Sequence, residues 1–166
     1  MTNFVPIGGP VAIIDIDDLR QSVAKNTRLM GLDLGSKTIG LAISDGAFHM
    51  SSPLDTIRRR KFTQDAIQLQ AIICERQVGG LVLGLPINMD GTEGPRCQST
   101  RQFAANFIEK YDIPIALWDE RLSTAAVERD LIAADVSRAK RAEVIDQMAA
   151  SFILQGALDY LNKPTL

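Results

Sequence analysis

From residue 28 onward the hydrophobic positions fall into runs whose spacing switches between that of strands and that of helices. Leu29 to Leu34 and Thr38 to Ser44 are two short apolar runs joined by Gly35-Ser36-Lys37, and so tight a connection predicts an antiparallel hairpin. Ser51 to Ile57 supplies a third strand, with Pro53 where an edge or a strand start tolerates it. Phe62, Ala66, Leu69, Ile73 and Cys74 then recur at helical spacing over 62–77, closed by Gly79-Gly80 ahead of a buried strand from Leu81 to Leu85. Pro95 suits a first helical turn, and Phe103, Ala104, Phe107 and Ile108 give the helix after it an apolar stripe. A strand from Ile115 to Trp118, a helix over about 125–134 capped by Thr124, and a long last helix over 142–161 complete the order βββαβαβαα. Strands joined through helices pair in parallel. The pattern therefore predicts an α/β fold with a mixed five-stranded sheet, three antiparallel strands followed by two helix-connected parallel ones, and helices on both faces.

Residues 1–27 read differently, with Pro6, Gly8, Gly9 and Pro10 ahead of Ile13-Ile14-Asp15-Ile16, as an N-terminal extension carrying one short helix. Residues 28–166 are then the domain. A chain of 166 residues with 46% hydrophobic side chains can bury one proper core and has little room for a second. Its net charge of -2 excludes a polycationic coat, so any polyanion must be met locally. Cys74 and Cys97 lack zinc-ligand spacing and His49 is the single histidine, which excludes a Cys/His metal site and reads as two reduced thiols. The first ten residues have no signal-peptide pattern, and no apolar run reaches the roughly 18 residues of a membrane span. The expectation is a soluble, cytoplasmic protein.

Asp33 is the residue that strand burial does not explain, because it stands in the apolar run Leu29 to Leu34. A buried carboxylate is costly unless a cation, a donor network or a proton meets its charge. Gly31 lies on the same face by period-two alternation and Gly35 follows, so a phosphate or hydrated metal has room to approach; bonding to neighbouring loop amides is the purely structural alternative. Glu120 follows the strand Ile115 to Trp118, at the kind of strand end where ligand sites gather, with Asp119 as its competitor. Asp146 lies at the border of the buried stripe Ile145, Met148, Ala149, Phe152 and Ile153, and Glu143 one turn earlier could serve instead. Three carboxylates from remote segments suit hard divalent cations such as Mg²⁺ or Mn²⁺. Two such ions about 4 Å apart hydrolyse phosphodiesters without any histidine.

Gly84 to Arg96 follows a strand and opens a helix, the position of a phosphate-handling loop, yet it lacks the GK[ST] of a Walker loop. The expected substrate contacts are Gly35 and Lys37 in the first turn, Asn88, Gly91, Gly94 and Arg96 in this loop, and Arg121. The basic runs Arg58-Arg59-Arg60-Lys61 and Arg138 with Lys140-Arg141 offer phosphate contacts despite the acidic total, and read as solvated surface when taken alone.

The motifs Gly31-Leu32-Asp33-Leu34-Gly35 through Gly40 to Asp45, Gly84 to Arg96, Asp119 to Thr124, and Asp146-Gln147-Met148-Ala149-Ala150 follow one another across about Arg28 to Leu161. In that order and spacing they resemble the YqgF family of Holliday junction resolvase-like nucleases. The resemblance implies an RNase H-like three-layer α/β/α fold of the RuvC type and a metal-dependent nuclease maturing the 5′ end of pre-16S rRNA in ribosome biogenesis. Holliday junction resolution, or RNA binding without turnover, are the alternatives. Carried over, the family's first-strand acid falls on Asp33, its DERLST glutamate on Glu120 and its last-helix acid on Asp146, as catalytic and metal-binding residues. Thr38 departs from the arginine that many members have before Ile-Gly. The expected partner is nucleic acid, with no membrane, for a monomer or homodimer. Asp33-Leu34-Gly35 with Gly40 is also similar to the phosphate loop of actin- and Hsp70-like enzymes, but those clamp nucleotide between two such domains and this chain has room for one.

Overall fold

The computed structural model describes residues 13–122 and 138–164; of 138–144 it describes the backbone only. Six strands, β1 (Ile13–Ile14), β2 (Arg28–Leu34), β3 (Thr38–Ser44), β4 (Ser51–Arg58), β5 (Val78–Leu85) and β6 (Ile115–Asp119), form one sheet in the order β1-β6-β5-β2-β3-β4. β2, β3 and β4 make the antiparallel meander, and β5, β6 and β1 continue it in parallel. The helices are α1 (Ile16–Ser22), α2 (Phe62–Glu75), α3 (Pro95–Lys110) and α4 (Arg138–Leu161). The mixed α/β architecture is the expected one; among the described residues the sheet has six strands where five were expected. The extra strand is Ile13–Ile14, inside the segment read as an extension, and it is too short to leave a periodic signature. The helix expected over 125–134 lies outside the described residues.

Alternation along the strands divides the core into two layers. Met30, Leu32 and Leu34 of β2 face Phe103, Ala104 and Phe107 of α3 and Ala66, Leu69 and Ile73 of α2. Leu29 of β2, with Ala42, Val82 and Ala116 of its neighbours, faces Ala150, Ile153, Leu154 and Leu158 of α4 and Leu19 of α1. β2 is thus covered on both sides, which is why its sequence is a nearly unbroken apolar run. Gly79-Gly80 does not close α2 as expected: both glycines belong to β5, where the places of their missing side chains are filled by Thr27 and by Val23, Leu29 and Leu19. The chain turns instead at Arg76 and at Gln77, whose φ of 56° is left-handed. Cys97 is buried and Cys74 exposed, and both are free thiols. Among the described residues no helix is long and apolar enough to cross a membrane.

Candidate active site

Asp33 pairs across the sheet with Gly40 on β3, and on its other side, one position beyond the paired Leu32 and Leu83, stands Gly84 of β5. Both glycines are open toward α4, and each gap is taken up by one of the other two acids. A Cβ on Gly40 would lie 2.0 Å from the carbonyl oxygen of Asp146 and 3.0 Å from its Cβ, so only glycine lets α4 settle onto β3 there. A Cβ on Gly84 would lie 2.7 Å from Oε1 of Glu120 and 2.5 Å from Ile153. Asp33 therefore stands between Asp146 on the β3 side and Glu120 on the β5 side, all against the face that α4 covers. Asp33 is 2% exposed and Glu120 6%, values that carboxylates keep only when their charge is met.

Asp146 is half-buried, and its Oδ2 accepts a hydrogen bond from Oγ1 of Thr38. The departure from family pattern at position 38 thus bears on one of the three acids. Glu120 opens a short 3₁₀ turn directly after β6. Its rival Asp119 is committed elsewhere, accepting from the Arg121 guanidinium at 2.8 Å, and that bond holds the Asp119 carboxyl below its usual range and raises Arg121. The side chain of Glu143 is outside the description. The donors suit a hard divalent cation, since all three are carboxylates. Among the described residues, no three His, Cys, Asp or Glu side chains form a group that could hold a metal ion.

Beside Asp33 and Asp146 opens a cleft of about 550 Å³, lined also by Gly35, Lys37, Thr38, Arg59 and Arg96. The hairpin turn forms its rim, with the Gly35 N–H donating to the Thr38 carbonyl at 2.9 Å. Arg59 donates through Nη1 to the Gly35 carbonyl at 2.6 Å, and Arg96 through Nη2 to the Leu34 carbonyl at 3.4 Å. Each guanidinium is tethered by one nitrogen and keeps further donors for a ligand. Of the expected contacts, Gly35, Lys37 and Arg96 meet here. Asn88, Gly91 and Gly94 instead build the neighbouring loop. Asn88 is bonded to Thr92 through its N–H (2.9 Å) and its Nδ2 (3.0 Å), Gly91 takes φ +89°, and Gly94 caps α3. Arg121 braces that loop, with Nη1 3.5 Å from the Asn88 carbonyl.

Arg59, which sequence reasoning left within a basic run, also lines the cleft, as do Ser36, Ser99 and Thr100, which it did not single out. What brings Arg59 there is the pairing of Thr38 with Arg58 at the end of β4, which returns the next residue to the hairpin turn.

The comparisons with known proteins bear on the family and the fold. The family model RuvX, described as Holliday junction resolvase, matches residues 27–160. A protein of Paramagnetospirillum magneticum named "Putative pre-16S rRNA nuclease" is 63% identical over 142 residues, 86% of this chain and 92% of that one. One of the same name from Bradyrhizobium diazoefficiens is 59% identical over 152 residues, covering 92% and 94%. Among solved structures, T. thermophilus RuvC in complex with a Holliday junction substrate superposes with a TM-score of 0.52 at 8% identity, over 82% of this chain and 96% of that chain, a likeness of fold. On the match across its sheet, its cleft and α4, the chain belongs to the RuvX (YqgF) family of Holliday junction resolvase-like nucleases.

Proposed function

We propose that the protein is a divalent-metal-dependent nuclease that trims the 5′ end of pre-16S rRNA in the cytoplasm. The observation that carries this reading is the row of acids Asp146, Asp33 and Glu120 across β3, β2 and β5, beside a cleft whose rim bears Lys37, Arg59 and Arg96. Asp33, Glu120 and Asp146 would hold the ion. When bound, Mg²⁺ or Mn²⁺ supplies an activated water and charge stabilisation at the leaving oxygen. The protein's own part is positioning. Lys37, Arg59 and Arg96 receive the phosphodiester, and the tethers of the two arginines to Gly35 and Leu34 fix their donors before substrate arrives. Thr38 orients the Asp146 carboxylate, and the loop of Asn88, Gly91 and Gly94 with Arg121 guides the strand past the cleft. The names of the relatives favour ribosomal RNA over junction DNA as the substrate.

The test is cleavage of a pre-16S rRNA 5′ fragment and of a synthetic four-way DNA junction, each with Mg²⁺, with Mn²⁺ and with EDTA. The expected result is release of the 5′ leader with either metal, none with EDTA, and little junction cutting. Cleavage of the junction alone would move the assignment to resolvase, and RNA bound but never cut would make the protein a binding factor.

A further inference from the structure

Asp33, Glu120 and Asp65 are the buried carboxylates among the described residues. The first two belong to the row of acids. Asp65, 2% exposed, stands on α2, whose Ala66 and Leu69 pack in the core layer away from α4. A carboxylate keeps such a place only when it is bonded there. Its Oδ1 accepts from the Arg60 N–H at 2.9 Å, and its own N–H donates to the Lys61 carbonyl at 3.1 Å. Arg59, Arg60 and Lys61 are the whole connection between β4, which ends at Arg58, and α2, which begins at Phe62. Lys61 caps α2 without a side-chain bond, and Arg60 lies outside the helix, so the Asp65 carboxylate serves the connection rather than the helix's own free amides. The far end of this brace is firm, because Phe62 packs edge-on against Phe103 of α3 with ring centroids 5.4 Å apart.

The remaining residue of the connection is Arg59. Its N–H donates to the Lys37 carbonyl at 2.8 Å and its Nη1 to the Gly35 carbonyl at 2.6 Å, both in the hairpin turn. Arg59 lines the cleft beside Asp33, whereas Arg60 and Asp65 line a separate groove. Arg58 to Lys61 are four consecutive cations, whose repulsion favours a splayed chain, and Asp65 is the acid of the first turn of α2 that meets them.

We propose that Asp65 is a positioning residue: by fixing the Arg60 amide it holds Arg59 in the cleft, where the guanidinium receives a phosphate of the substrate strand. This deepens the nuclease reading and rests on it. Freedom that Asp65 removes beforehand is not lost when the strand binds, so its effect falls on affinity and KM rather than on kcat.

The full-length wild type, Asp65→Ala, Asp65→Asn, Arg59→Ala and the double variant of Asp65→Ala with Arg59→Ala are titrated in EDTA with a labelled single-stranded RNA oligonucleotide. KM and kcat on the pre-16S rRNA 5′ fragment with Mg²⁺ are measured beside thermal melts. Asp65→Ala is expected to weaken binding and raise KM by roughly fivefold, with kcat within about twofold of wild type. The double variant binds no more weakly than Arg59→Ala, because both changes act through one guanidinium. Asp65→Asn keeps an acceptor for the Arg60 N–H and restores binding. Asp65→Ser, too short to reach that N–H, repeats the test if the alanine variant does not fold. A lowered melting temperature with unchanged affinity and KM, or losses that add in the double variant, would reduce Asp65 to a structural brace and overturn the proposal. A wild type that binds RNA without cutting it removes the nuclease reading and leaves the titrations to decide on Asp65; one that binds no RNA removes both.

Discussion

Asp33→Asn is expected to slow phosphodiester cleavage by roughly a thousandfold while shifting the melting temperature by no more than about 4 °C. The substitution keeps the shape of a side chain that is 2% exposed and set in a strand covered on both faces, so the packing around it is conserved. What it removes is a negative charge at the centre of a row whose outer members, Asp146 and Glu120, stand over Gly40 and Gly84. A site that works by holding a divalent cation loses most of its transition-state stabilisation with the central charge, and single-turnover rates beside a thermal melt separate this from unfolding. Equal rates for the two proteins would take the reaction away from Asp33.

Gly40→Ala is expected to destabilise the fold by about 3 kcal/mol, because overpacking against backbone cannot be relieved by a rotamer change. The new Cβ would stand 2.0 Å from the Asp146 carbonyl oxygen and 2.3 Å from its carbonyl carbon, so either α4 lifts from β3 or the meander bends. For a domain of this size that energy corresponds to a drop of roughly 6–12 °C in melting temperature. Activity falls too, since the displaced residue is itself one of the three acids. Gly46→Ala is the control, with nothing within 4 Å of its new Cβ, and it should melt as wild type does. An unchanged melt for Gly40→Ala would contradict the packing of α4 on β3.

The meander was legible because two apolar runs joined by Gly35-Ser36-Lys37 admit little but a hairpin, and the antiparallel register of Met30 to Leu34 against Ile39 to Ile43 is the one that hairpin gives. The three acids stood out for different reasons: Asp33 by its apolar surroundings, Glu120 by its strand end, Asp146 by its border position on a helix. That they meet on one face was not legible, because it depends on the bare glycines at 40 and 84 that admit Asp146 and Glu120, contacts that no local pattern between remote segments reveals. Arg59 was hidden for a similar reason. Its local run reads as surface, and only the pairing of β4 with β3 brings it to the Gly35 carbonyl. Gly79-Gly80 looked like a turn because two glycines usually break an element; here they make room for Thr27 and Leu19, contacts a linear reading cannot see. Ile13–Ile14 joins the sheet beside β6 with only two paired residues, below what periodicity detects.

The central claim is that Asp33, Glu120 and Asp146 share a divalent cation, although as they stand they are not gathered into a metal-binding group. Calorimetric titration with Mn²⁺ of the wild type, Asp33→Asn, Glu120→Gln and Asp146→Asn tests it most directly. The account predicts saturable binding to the wild type and at least about a tenfold loss of affinity in each variant. A wild type that binds no Mn²⁺, or variants that bind it as tightly as the wild type, would contradict it.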